Sequence, residues 1–141
     1  MIQTGLLRLS TQGEADVHDL TPGIVHVART AGVSNGTVTV FVTGSTAAVT
    51  TMEFEPGGVA DIQELLERLV PRQRPGGDDY AHNRLNADDN AHAHLRASLI
   101  GPSLSIPLVD GHLALGTWQQ VVLIDFDDRP RDRTVTVQIL S

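Results

Sequence analysis

Hydrophobic and polar positions alternate with a period of two along several stretches of the chain, and such alternation is typical of half-buried β-strands. The alternating stretches are residues 5–12, 14–20, 36–44, 45–54, 103–109, 113–126 and 134–140. Short turns separate them, and Gly13 predicts a hairpin between the first two. The chain is therefore expected to be rich in strands with short connections.

Three other stretches are expected to form helices, and two of them, residues 20–32 and 55–71, show the spacing of three and four residues that an amphipathic helix requires. In residues 20–32 we expect Thr21 to be the N-cap and Gly32 to end the helix. Residues 87–101 are expected to form a short helix that stops at its final glycine. The clearest helix lies within residues 55–71, where one face carries Val59, Ile62, Leu66 and Leu69.

These elements predict an α+β fold with a mainly antiparallel sheet or sandwich and two to three helices. The length of 141 residues suits one domain, 1–141, and no linker or internal repeat divides the chain. Aromatic residues make up only 4% of the sequence, so we expect an aliphatic core. Trp118, the only tryptophan, is most simply an anchor of that core.

Charge and composition exclude several classes of function. The formal net charge of −7 opposes binding to a phosphate backbone, and no basic run offsets it, so nucleic acid is not an expected partner. No apolar run approaches the roughly 20 residues of a membrane span, and no signal peptide opens the chain. A cytoplasmic protein without membrane contact is expected.

The chain contains no cysteine, which excludes thiolate nucleophiles, disulfides and cysteine-ligated zinc. All ten basic residues are arginines, so Schiff-base chemistry and the P-loop lysine are excluded as well. Any metal ion must therefore be held by histidine, aspartate, glutamate or water.

The window 78–103 holds three of the six histidines together with four aspartates. Imidazole suits zinc and carboxylates suit magnesium, so His82, His92 and His94 are candidate ligands of a divalent metal ion, Zn or Mg. In a helix, His92 and His94 would point roughly 200° apart, and one of them would be a spectator; in an extended segment they would share a side. A solvated acidic surface is the alternative explanation of the same residues.

Several polar residues beyond this window are candidates with structural alternatives. Arg96, Ser98 and the turn from Gly101 to Ser103 offer a cation, hydroxyls and backbone N–H groups to an anion, or simply end a helix before a strand. Glu53 and Glu55 alternate on one side of a predicted strand and face either a cleft or solvent. Arg131 and Arg133 either clamp a phosphate or belong to a charged turn.

Two signatures carry a resemblance to a known family. The stretches AHLRASLIGPS and LGTWQ, at this separation, and the strand pair VFVTGSTAAVTTMEFEPG resemble the YjbQ family, also called UPF0047. The resemblance covers nearly the whole chain and implies a compact α+β fold assembled as a homotrimer. It also implies activity as a thiamine-phosphate synthase, which joins a pyrimidine diphosphate to a thiazole phosphate and releases pyrophosphate.

The resemblance assigns a polar pocket to positions of this sequence. The implied members are His82, His94, Ser98, Ser103, Gln119 and Glu53. Many members have a His-Thr pair where this chain has Gly44 and Ser45, and an asparagine where it has Met52. We therefore advance the hypothesis that His92 replaces the missing histidine.

Together these features predict a metal-assisted enzyme that acts on a small phosphorylated metabolite. In it His82 and His94 hold the ion, Glu53, Gln119 and His94 are catalytic, and the substrate contacts Arg96, Ser98, Gly101, Ser103 and Trp118. The alternatives are a metal-dependent hydrolase of a small phosphorylated or acylated compound, and a non-catalytic trimer that binds a metabolite or a metal.

Overall fold

The computed structural model describes residues 1–141 and contains eight strands and four α-helices. The strands are β1 (Ile2–Thr11), β2 (Asp16–Asp19), β3 (Gly36–Val42), β4 (Ala47–Met52), β5 (Ser103–Val109), β6 (His112–Leu113), β7 (Gln120–Asp125) and β8 (Arg131–Leu140). The helices are α1 (Thr21–Ala31), α2 (Pro56–Leu69), α3 (Ala81–Asn86) and α4 (Ala91–Ile100), and Pro75–Gly77 form a 3-10 turn. None of these helices combines the length and the apolar character that crossing a bilayer requires.

The strands form two antiparallel sheets. The larger sheet has the order β1-β8-β3-β5-β6, and the smaller one has the order β2-β7-β4. Every paired neighbour runs antiparallel. The predicted α+β class with antiparallel sheets is confirmed, and the helices number four, one more than the upper expectation.

Two apolar layers hold the sheets and helices together. In the first layer, the inner face of the larger sheet packs against α1 and one face of the smaller sheet; it includes Ile24, Val40 and Leu123. In the second, the opposite face of the smaller sheet packs against α2 and α4; it includes Leu66 and Ile124. Strand β7 is thus buried on both faces, which explains its continuous apolar run where the long strands of the larger sheet alternate.

The predicted hairpin between residues 5–12 and 14–20 is wrong. Strand β1 pairs with β8 in the larger sheet, whereas β2 pairs with β7 in the smaller one. Between them, Gly13, Glu14 and Ala15 all have positive φ angles, of 81°, 57° and 63°. Three consecutive residues in left-handed conformations turn the chain from one sheet to the other, and the Glu14 N–H donates to the Asp127 carbonyl.

The predicted strand 113–126 is divided, because β6 ends at Leu113 and β7 begins at Gln120. The N–H of Gln119 donates to the Gly116 carbonyl, and its side-chain oxygen accepts from the Gly116 N–H, which closes a turn. The expected cap of α1 is also different: Leu20 is the N-cap, and Thr21 is the first helical residue.

Candidate functional site

The rings of His82 and His94 lie against each other although they belong to different helices. Their centroids are 4.7 Å apart, and the planes are tilted by 43°. The buried Asn83 fixes this arrangement, because its side-chain oxygen accepts from the Ala91 N–H at the start of α4 while its amide nitrogen donates to Asp79. The structure therefore brings together the two imidazoles that the resemblance implies as ligands.

Within this chain the two imidazoles lack a third protein ligand. Only one set of three histidine or carboxylate ligand atoms lies within 4.8 Å of one another, and it consists of Asp88, Asp89 and Asp128. In that set the pKa of Asp128 rises to about 6, because its side chain hydrogen-bonds to Asp89 and is partly desolvated. The same hydrogen bond lowers the pKa of Asp89, because it stabilises the ionised form of that carboxyl group.

His92 occupies the opposite side of α4. Its exposed fraction is 0%, and neither ring nitrogen has a hydrogen-bond partner. Burial lowers its pKa to about 4, and the nearby Arg96 and Arg72 add to this effect. Because α4 is helical through both positions, His92 points inward while His94 lies on the outer side, so the hypothesis that His92 replaces the missing histidine as a co-ligand of His94 is not supported.

Arg96 is likewise turned into the protein. Its Nε donates to the Val70 carbonyl at 2.9 Å, and one terminal nitrogen donates to Glu67 at 2.7 Å. These bonds fasten α4 to the end of α2. The guanidinium thus serves this helix contact, and we assign it no part in the proposed substrate site.

The outer side of α4 carries His94 and Ser98, four residues apart on one face. The helix ends at Gly101, whose φ of 101° favours glycine. The Gly101 N–H donates to the Ala97 carbonyl, and its own carbonyl accepts from the Val49 N–H. Gly101 therefore positions the start of β5 and has no free N–H for an anion.

A polar groove of about 420 Å³ lies between β4, β5 and the segment between β6 and β7. The expected site residues Ser103 and Gln119 both line it, with Ile100 of α4 at one side. The Gln119 amide donates to the Thr51 hydroxyl at 3.3 Å, so its orientation is set. Reasoning from the sequence missed two hydroxyls of this groove that the period-two pattern of their strands could have indicated, Thr51 and Ser105. Thr50, the neighbour of Thr51 in β4, also lines the groove.

The two glutamates of the predicted strand end have different roles. Glu55 lies beyond β4 and is the N-cap of α2, where its carboxylate accepts from the Gly57 and Gly58 N–H groups. Glu53 follows β4 directly, is exposed, and has no ion pair or side-chain hydrogen bond. Trp118 is 73% exposed, so the expectation of a core anchor is wrong, and the ring stands free beside Gln119.

Arg133 belongs to a buried polar network that joins β7, β8 and the loop before β4. It forms two bonds to Asp125, at 2.7 and 2.9 Å, and one to Thr46 at 2.6 Å. Burial opposes ionisation of Asp125, but hydrogen bonds from Arg133 and Thr11 outweigh it and lower the pKa. A β-carbon at Gly44 would lie 2.6 Å from an Arg133 nitrogen, so this guanidinium fills the space beside the glycine.

Comparison with known proteins identifies relatives along the whole chain. A sequence profile described as UPF0047 protein YjbQ-like matches residues 6–141. A UPF0047 protein of Archaeoglobus fulgidus is 40% identical over 134 residues, which are 95% of this chain and 98% of that protein. A UPF0047 protein of Methanothermobacter thermautotrophicus is 35% identical over 138 residues, which are 98% and 92% of the two chains.

Solved structures agree with this sequence similarity. A protein of Sulfolobus solfataricus, described as YbjQ-like and of unknown function, superposes with a TM-score of 0.92 at 32% identity, covering 100% of this chain and 98% of that one. A hypothetical protein of Aeropyrum pernix gives a TM-score of 0.89 at 37% identity, covering 99% and 98%. These descriptions convey a family and a fold, and they name no reaction.

Proposed function

The chain belongs to the YjbQ-like UPF0047 family, and we propose that it is a metal-assisted enzyme acting on a small phosphorylated compound. The observation that supports this proposal most strongly is the convergence of His82 and His94 from two helices, with ring centroids 4.7 Å apart. Two adjacent imidazoles are a donor set that suits a divalent ion such as zinc.

His82 and His94 would hold the ion, and water or substrate oxygens would supply the remaining ligands. When bound, such an ion offers positive charge to phosphate oxygens. The other contacts to the substrate would come from side chains of the protein. The groove hydroxyls of Ser103 and Thr51 can donate to phosphate oxygens, and Gln119, held by Thr51, orients the substrate.

The helix α4 connects the histidine pair to this groove. His94 lies near its start and Ile100, which lines the groove, lies at its end, which places them about 9 Å apart along the axis. Ser98 lies between them on the same outer face as His94. A substrate that carries a phosphate and a ring at opposite ends could extend along this path.

The resemblance favours one reaction, condensation of a pyrimidine diphosphate with a thiazole phosphate. In that reaction pyrophosphate leaves as its bond to the pyrimidine methylene carbon breaks and the thiazole nitrogen bonds to that carbon. Negative charge develops on the leaving oxygen, where preorganised donors stabilise it. The exposed and unpaired Glu53 also suits a second candidate, a hydrolase in which this carboxylate orients the attacking water.

Assembly as a homotrimer is part of the proposal. Three leucines of α3 and α4, the helices that carry the histidine pair, are exposed: Leu85, Leu95 and Leu99, by 84%, 46% and 61%. Apolar side chains grouped beside a polar site are typical of surfaces that contact another protein. We propose that a second copy of the chain covers them.

Metal binding is the first prediction. We expect Zn²⁺ titrated into the protein to bind saturably, and His82→Ala or His94→Ala to weaken binding by tenfold or more, since each removes one of two ligands. Isothermal titration calorimetry measures this, and His26→Ala, which removes an exposed histidine of α1, is the matched control. Equal affinity in all three variants would refute the site.

Activity is tested with the same variants. The protein is incubated with the pyrimidine diphosphate and the thiazole phosphate, and products are separated by mass. Thiamine phosphate with pyrophosphate indicates condensation, and pyrimidine monophosphate with phosphate, or pyrimidine alcohol with pyrophosphate, indicates hydrolysis. Glu53→Gln should reduce either activity. If the substrates bind saturably, no product forms, and the affinity is the same in Glu53→Gln, the protein is a binding protein and not an enzyme.

A further inference from the structure

A second cavity, of about 280 Å³, lies between α1 and the chain that runs from the end of β5 to the start of β7. Its volume is near the lower end of the range of roughly 300–1,000 Å³ that is common for small-molecule sites. Five of its twelve lining residues have apolar side chains, and they form its floor: Val25, Ala28, Leu108, Leu113 and Leu115. None of the histidines of the proposed metal site lines it.

Most polar side chains around this cavity already have partners within the protein. The Thr21 hydroxyl accepts from the Val121 N–H at 2.9 Å. Gln119 accepts from Gly116 and donates to Thr51, and Gln120 accepts from Phe54 and donates to Thr117. The lining side chains that can carry a positive charge and remain available to a ligand are therefore Arg29 and His112, and the Thr21 hydroxyl keeps its proton as a donor.

Arg29 is unusual among the arginines of this chain. Eight of the ten lie within 4.0 Å of a carboxylate, which leaves Arg8 and Arg29 without one. No aspartate or glutamate lines the cavity, although the chain carries a net charge of −7. A free guanidinium at an apolar cavity that lacks acidic residues favours an anionic guest.

His112 adds a second polar group. Its Nδ1 lies 2.8 Å from the Asp110 carbonyl oxygen, which can only accept a hydrogen bond, so Nδ1 carries the proton. In the neutral ring Nε2 is then a free acceptor, and in the protonated ring it is a free donor. The cavity thus offers an apolar floor and, among its uncommitted groups, one permanent positive charge.

We propose that this cavity binds a small amphipathic anion, with its apolar body on the floor and its carboxylate or phosphate on Arg29. The proposal does not rest on the metal site, because Arg29 and His112 take no part in it and only Leu115 among the floor residues also lines the polar groove. Octanoate is the simplest probe with this chemistry. Octanamide has nearly the same shape without the charge, and inorganic phosphate has the charge without the apolar body.

The experiment titrates each probe into ¹⁵N-labelled protein and follows amide resonances by NMR. We expect octanoate to bind saturably, with shifts at Val25 and Ala28, and Arg29→Gln to weaken it by about tenfold, as is usual when a charge-assisted hydrogen bond is lost. Octanamide should bind more weakly and be insensitive to Arg29→Gln. Arg8→Gln, which removes the other unpaired arginine, is the control and should change nothing.

Filling the cavity provides an independent check. Val25 is half-buried at the cavity wall, and Val25→Phe should abolish octanoate binding while the amide spectrum remains that of a folded protein. The proposal is overturned if octanoate does not saturate at millimolar concentration, or if Arg8→Gln weakens it as much as Arg29→Gln. Tighter binding of phosphate alone at Arg29 would also overturn it, because the apolar floor would then have no role.

Discussion

At the scale of single residues, identical side chains a few positions apart have opposite environments. His92 is fully buried and His94 lies on the outer side of the same helix, while Glu55 caps α2 and Glu53 is unpaired. Helical spacing correctly separates the directions of the two histidines, but it does not say which one faces inward. That choice depends on the sheet that α4 packs against, which no local pattern specifies.

The buried His92 predicts a pH dependence of stability. Its pKa is about 4 in the folded protein against 6.5 for the ordinary group, so the unfolded chain binds the extra proton first as the pH falls. The contribution of His92 to the free energy of unfolding is therefore fully present above pH 6.5 and is lost as the pH falls towards 4. Between about pH 7 and about pH 5 the free energy of unfolding should decrease by roughly 2 kcal/mol. Urea unfolding of the wild type and of His92→Leu at both pH values measures this loss.

The groups that act on His92 are Arg96, Arg72, Glu67 and Asp89, and all of them are retained in His92→Leu. Asp128 titrates in the same window with the opposite sign, but it too is common to both proteins and cancels in the comparison. His26→Gln, which replaces an exposed histidine of α1, is the matched control. An unchanged acid loss in His92→Leu would contradict the prediction.

At the scale of elements, the period-two and helical patterns located most strands and three helices, although several boundaries moved. The errors share one cause. The pattern reports whether a strand has a buried face, but it does not report which strand is its partner, so β1 and β2 were expected to pair with each other. Their true partners, β8 and β7, lie more than a hundred residues away.

The Arg133–Asp125 ion pair joins β7 of the smaller sheet to β8 of the larger one. Arg133→Met leaves the Asp125 carboxylate buried without its partner, and we expect this to reduce the free energy of unfolding by about 3–5 kcal/mol. Arg68→Met removes an exposed pair with Glu64 at 3.8 Å and should cost at most about 0.5 kcal/mol. Urea denaturation near pH 7 compares the two, and equal losses would show that the buried pair is not a major contributor.

At the scale of the whole molecule, the fold class follows from the predicted strands and helices and their short connections, and the family follows from two signatures within residues 93–119 and the strand pair before them. The position of Trp118 does not follow, because a large aromatic side chain is usually buried, whereas here it is 73% exposed. Sequence patterns describe burial within one chain. A surface that is covered only by another copy is not visible to them.

The proposed trimer is tested by mass. Light scattering after size-exclusion chromatography should give three times the chain mass of 15.1 kDa. Leu99→Glu places a charge among the exposed leucines of α3 and α4 and should release monomers, since an unpaired charge within an apolar interface is unfavourable. Leu6→Glu alters an equally apolar but separate position on the larger sheet and should leave the trimer intact; the reverse result would place the interface on that sheet.

The segment Leu115–Gln119 forms a wall of both the polar groove and the cavity beside Arg29, since Leu115 and Gln119 line each of them. The two recesses therefore share a partition only a few residues thick. A ligand that binds in one recess and moves this segment changes the affinity of the other recess for its own ligand. Thermodynamic linkage requires the two ligands to change each other's binding free energy by the same amount, so the affinity for either ligand would depend on whether the other is bound.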